Sequence, residues 1–405
     1  MRRRFHRLVV VMVAAGMIIG LGTTNALALD STPDASWMTI GKVYGMVETG
    51  GWMFVGGQFT QLRSTPSGVS GPKITVSNLG ALDVATGEGI GGFAPAVTHS
   101  TETAFVRTFA VSPDGTRLYV GGHFDAVDGV PARNLAAIDL TTMTVDAAFT
   151  PKAGGLTAAV YAILPAPDGS KVYVAGSFTS FSGQTRTRLA AIYPDGTLEP
   201  NWQPTANKHV RSLEFATNGL TIFVGGAFTT VNGTTRQQVA RVDASTAALH
   251  AWSIPTGTLP QPMVAWSLDV TATRLYGGFG KGPNFAAAFR LDNGNSGTQV
   301  WRFNTVGNVQ KVMLSEDASQ LFIGGHFGTG SLQQWVCGSA YLRALAVLNP
   351  SNGALNCAWI PQLEPFGSNY QGVWDIDLTP THVWFSGRFN EVTGVAQQNV
   401  ARVVR

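Results

Sequence analysis

The side chains able to do chemistry in this chain fall into two sets. The first occupies the second residue of seven short apolar segments: Tyr44, Arg107, Tyr161, Arg211, Ala265, Gln310 and Trp374. Guanidinium groups beside aromatic rings offer cation–π contacts and forked hydrogen bonds, which suit an anion or a sugar. The competing reading is packing between neighbouring elements, with polar tips reaching water. The second set lies in long irregular segments: Trp335, Tyr341, Phe366 and Tyr370, with Arg63, Lys73, His99, Glu102 and Glu364. Exposed aromatics beside polar groups suit sugar or peptide recognition. Alternatively these aromatics pin down their own loops, helped by a link between Cys337 and Cys357.

No catalytic residue is assigned. No Gly-x-Ser-x-Gly, Ser-His-Asp order, paired Glu motif or calcium loop rises above chance. A site assembled from separate repeats would leave no local signature, so a polysaccharide hydrolase or lyase stays open, with Glu102, Glu364 and Asp375 as its carboxylates. His123 and His326 occupy equivalent positions in two repeats and lie too far apart to share one metal ion. Cysteine and histidine spacings lack CxxC and HxxxH, so neither a metal nor a cofactor is implied. Asp114 and Asp168 sit in Pro-Asp-Gly turns, and Asp83, Asp139, Asp243 and Asp292 end strands before hairpins, where Asp serves the backbone.

The elements that position these residues repeat. LYVGGHF at 118–124 returns as VYVAGSF at 172–178, IFVGGAF at 222–228 and LFIGGHF at 321–327. Weaker copies are MFVGGQF at 53–59, LYGGFG at 275–280 and VWFSGRF at 383–389. A period of about 50 residues marks an array of one supersecondary unit. In the fourth copy, 209–216 alternates apolar and polar residues as a strand does. Thr217-Asn218-Gly219 is a turn, 220–228 a second strand, 236–244 a third, and 247–255 a fourth that ends in proline.

A sheet apolar on both faces must be covered on both faces. Stacking seven such sheets radially does so, which predicts an all-β, seven-bladed β-propeller of four-stranded antiparallel blades. The paired glycines let neighbouring sheets approach closely. The seventh unit ends at Arg405 without a fourth strand, and 34–40 (DASWMTI) has the fourth-strand pattern. The N-terminal strand is therefore expected to complete the last blade and close the ring.

The string IFVGGAFTTVNGTTRQQVARVD, followed by a turn and an aromatic-Pro ending, resembles the delta-sixty repeat of bacterial β-propellers. The resemblance spans nearly all of 29–405 and is strongest in units two to four. Unit five departs from it, having lost the phrase at Gly277-Gly278-Phe279-Gly280. The resemblance implies a propeller with no common activity, and carries over no catalytic residue.

Residues 1–28 read as a signal peptide: Arg2, Arg3, Arg4 and Arg7, an apolar run at 8–21, and an Ala-Leu-Ala cleavage site. Ordinary and twin-arginine export both remain open. With those four arginines gone, the formal charge of +3 becomes −1, so nothing points to nucleic acid. No later stretch could span a bilayer as a helix. The expected product is one secreted, monomeric propeller domain over 29–405 with a Cys337–Cys357 disulfide. It would be extracellular or associated with the cell wall, binding a glycan or a cell-surface protein; an enzyme and a structural envelope protein are the alternatives.

Overall fold

The computed structural model describes residues 29–328, 334–338, 340–364 and 372–405. It is all-β, built of antiparallel sheets, with one principal sheet to each sequence repeat and small two- and three-stranded sheets beside them. Unit two shows the plan. Phe105–Val111 pairs with Arg117–His123, which pairs with Leu135–Asp139, which pairs with Thr144–Val145. Asp114 tightens the first hairpin by accepting bonds from Ser112 Oγ at 2.5 Å and the Thr116 amide at 3.1 Å. Leu118, Tyr119 and Val120 point alternately to the two faces, and all three are buried. A strand apolar on both faces needs a neighbour on each.

Those neighbours are the adjacent units. The first strands pack side by side in chain order: Met38–Thr49 on Phe105–Val111, then Val160–Pro165, Val210–Phe215, Val264–Val270, Val309–Leu314 and Gly372–Leu378. The last of these also packs on Met38–Thr49. Hydrogen bonds bridge sheets at this level. The Leu268 amide donates to Ser212 Oγ at 3.0 Å, the Leu314 amide to Asp269 at 2.7 Å, and the Met46 amide to Asp375 at 2.9 Å. Each apolar cluster draws on two neighbouring units; one of them joins Trp384 and Val400 of unit seven to Val43, Met53 and Val55 of unit one.

The fourth strand departs from expectation. It is long in unit five, Gln299–Thr305, and two residues in unit two. In units one, three, four and six the segment makes only an isolated bridge, such as Val242 with Leu249 in unit four. There the chain leaves the ladder to bury an aromatic residue between sheets. Trp252 is fully buried, and its indole donates to the Arg290 carbonyl of the next unit at 3.1 Å.

The terminal segment pairs as expected, but earlier in the sequence. Pro33–Asp34 pairs with Val400–Val404, placing Pro33 opposite Val403 and Asp34 opposite Arg402. From Met38 onward the chain already belongs to the long first strand of unit one, and the Trp37 amide donates to the Gly87 carbonyl of that unit. Cys337 and Cys357 form a disulfide, with Cα atoms 5.6 Å apart. Among the described residues no helix is long and apolar enough to cross a membrane.

Candidate functional site

Every first strand carries a β-bulge at one equivalent position. In unit two Val106 faces Gly122 and Thr108 faces Gly121, which leaves Arg107 with no residue opposite. The same two-against-one pairing singles out Tyr44, Tyr161, Arg211, Trp266, Gln310 and Trp374. A bulge re-aims its extra side chain, and this one recurs once per unit. The glycine pair makes it possible. A methyl group on Gly122 would collide with the Phe105 carbonyl, which the bulge turns over it. A methyl group on Gly121 would sit 2.6 Å from Val160 of the next sheet. The sheet-approach role expected of the pair thus belongs to the first glycine, and the second makes room for the bulge.

In unit five the bulged residue is Trp266, not Ala265. Phe279 occupies the place of the second glycine and faces Ala265, which replaces the usual valine. The large and small residues have exchanged strands, so counting from Val264 falls one residue short.

Six bulged side chains form a contiguous arc. The rings of Trp374 and Tyr44 lie 5.1 Å apart, and the Arg107 guanidinium lies 5.5 Å from the Tyr44 ring. Arg211 lies 3.9 Å from the Tyr161 ring and 5.0 Å from that of Trp266. Tyr161 also interacts electrostatically with Arg107, which links the two halves. The Trp374 indole donates to Nε2 of His326. Arg107 keeps an intermediate exposed area although protein surrounds it closely.

The arc is electropositive. Burial, opposed by Tyr161 and assisted by the nearby Arg107 charge, lowers the Arg211 pKa to about 10. Burial also lowers Arg107, offset in part by Tyr44, Asp375 and Tyr161. Burial brings His209 down to about 4, assisted by Arg211, Lys281, Arg188 and Lys208. Among the described residues neither Arg107 nor Arg211 forms an ion pair. Asp375, which acts on Arg107, is held by Lys311 at 2.6 Å. Arg211 Nε, Trp266 Nε1 and His209 Nε2 are buried with no hydrogen-bond partner among the described residues. Such groups in one place call for a physical reason.

The described members of the loop set make local contacts. Arg63 donates to the Val69 carbonyl of its own loop. Arg343 reaches over the Tyr341 ring at 5.6 Å and pairs with Glu364. Trp335 lies in a two-residue strand, Trp335–Val336, paired with Ala340–Tyr341. Phe366 and Tyr370 lie outside the described residues, as does the 1–28 segment.

Glu102 belongs elsewhere. It meets His123 Nε2 at 2.9 Å while His123 Nδ1 faces the Ala158 carbonyl at 2.9 Å. His99 stacks on His123 with ring centroids 4.6 Å apart, and the group lines a pocket of about 180 Å³. His123 and His326 thus serve separate local networks, and among the described residues no group of three or more His, Cys, Asp or Glu could hold a metal. Glu102, Glu364 and Asp375 each have a partner of their own, His123, Arg343 and Lys311.

No curated protein sequence is similar to this chain. A solved structure titled "Structure of U3-55K" is similar in fold, with a TM-score of 0.58 over 92% of this chain and 99% of that one, at 10% identity. Residues 166–201 and 221–245 match the family described as "Domain of unknown function (DUF5122) beta-propeller". The match covers parts of units three and four, whose sequence is thus similar to the repeats of that β-propeller family.

Proposed function

We propose that residues 29–405 form one secreted seven-bladed β-propeller, closed by its N-terminal strand, that acts as a carbohydrate-binding module. Closure is supported by the pairing of Pro33–Asp34 with Val400–Val404 and by the packing of Gly372–Leu378 on Met38–Thr49. Export is supported by the basic and apolar pattern of 1–28 and by the Cys337–Cys357 disulfide, which suits an oxidising compartment.

The observation that carries the binding reading is the arc Trp374–Tyr44–Arg107–Tyr161–Arg211–Trp266. Flat aromatic faces take up the C–H face of a sugar, while guanidinium donors fix its oxygens. The test is a glycan array probed with the purified protein and with Trp266→Ala and Trp374→Ala. Binding that both variants weaken is the expected result. An empty array, or cleavage of a polysaccharide by the protein, would replace this reading.

A further inference from the structure

Resting on the carbohydrate reading above, we propose that the ligand is an acidic sugar whose carboxylate is held between Arg107 and Arg211. These two guanidinium groups share one region and repel each other. Among the described residues no carboxylate pairs with either. Asp375, the carboxylate that acts on Arg107, is taken up by Lys311 and by the Met46 amide. The region therefore holds two closely surrounded guanidinium groups, neither of them in an ion pair among the described residues.

The unpartnered donors define what fits. Arg211 Nε and the Trp266 indole N–H are both buried and unused, and Arg211 lies 5.0 Å from the Trp266 ring. A carboxylate accepts through two oxygens, so it can take a guanidinium fork and an indole N–H together. The rings of Tyr161 and Trp266, both close to Arg211, supply the apolar surface that the body of the sugar would need. Arg188, Lys208 and Lys281, which act on the adjacent His209, extend the positive field beyond the arc and favour approach of an anion.

The experiment is an array carrying uronate and sialate oligosaccharides, their neutral methyl esters, and sugar phosphates, read with the protein, Arg211→Gln and Arg107→Gln. The expected hits are the free carboxylates. Esterification or either substitution should weaken binding at least about tenfold, the loss of one charge-assisted hydrogen-bonding pair. Thermal melting establishes that each variant is folded, and either folded variant decides the matter alone. Equal binding of acids and esters, hits confined to phosphates, or unchanged binding by the folded variants would overturn the acidic-sugar assignment while leaving carbohydrate binding intact. A blank array for the unmodified protein would overturn both.

Discussion

The indole of Trp359 donates to the main-chain carbonyl of Asp30, 2.6 Å away and 329 residues apart in sequence. Trp202 makes the same bond to Asp243, Trp252 to Arg290, and Trp301 to Pro350. In those three the acceptor lies at or just past the end of the next unit's third strand. In unit seven that place is taken by a residue from the other end of the chain, whose amide in turn donates to Val404 at 3.0 Å.

Deleting residues 29–34 therefore removes more than a two-residue strand. The Thr393 hydroxyl loses the Ser31 carbonyl at 2.8 Å, His382 loses Asp34 at 2.8 Å, and Trp359 loses its acceptor. Val400–Val404 becomes an unpaired edge, which invites pairing with other chains. The truncated protein should melt lower and aggregate with rising concentration, as read by calorimetry and light scattering. Identical melting and scattering would show that the segment contributes nothing to the last unit.

The bulge predicts a contrast between two glycine substitutions. Gly122→Ala forces a methyl group against the Phe105 carbonyl, a backbone atom that cannot swing aside. It should cost about 1–3 kcal/mol or more, the range for overpacked cores. Gly92→Ala meets no atom within 4 Å and should stay within about 0.5 kcal/mol of the parent. Denaturant midpoints of both variants decide it; equal stabilities would sink the account of the second glycine.

The repeat phrase made the sheets legible because burial on both faces writes itself as an unbroken apolar run ending in Gly-Gly. The bulge was partly legible: a long polar or aromatic residue after a valine recurs in six units, whereas the exchange of Ala265 and Phe279 in unit five shifted the seventh member by one residue. The shortness of the fourth strands was not legible. The aromatic residue that reads as part of a strand is the one that leaves the ladder to fill the gap between sheets. The partners of the loop residues were not legible, because Arg63, Tyr341 and Glu102 meet groups that neighbouring sequence does not disclose.

Acid should destabilise the protein in two separable stages. His209 and His326 are both held near 4, below their ordinary value of 6.5, chiefly by burial. Arg211, Lys281, Arg188 and Lys208 add to this at His209, and Arg107 at His326. The unfolded chain therefore binds more protons than the folded one between about pH 6.5 and 4, and stability falls as pH drops through that window. Carboxylates held low by hydrogen bonds, such as Asp317 at about 2, act in the same direction only at lower pH, as it falls from the unfolded carboxylate range toward 2. Melting temperature against pH should thus decline first between 6.5 and 4. The double variant His209→Gln/His326→Gln should flatten that stage and leave the lower one. A parent curve flat from pH 7 to 4.5 would contradict the burial of both imidazoles.

Arg211 sets stability against binding. Its guanidinium is buried without an ion pair among the described residues, and Arg107 repels it. Two ring contacts, at 3.9 Å to Tyr161 and 5.0 Å to Trp266, offset this. Cation–π contacts contribute about 0.5–2 kcal/mol, whereas the effective penalty for burying an ion runs to several kcal/mol. Desolvation outweighs the rings, so Arg211→Met, similar in length and free of charge, should raise stability by about 1–2 kcal/mol. The same substitution removes the donor assigned to the ligand, so the melting temperature should rise as glycan binding is lost, the trade expected where a site keeps a strained group for its function. Calorimetry and the array on one preparation read both sides. A lower melting temperature would mean that the guanidinium is a structural brace between Tyr161 and Trp266, and that its unpaired charge needs another explanation.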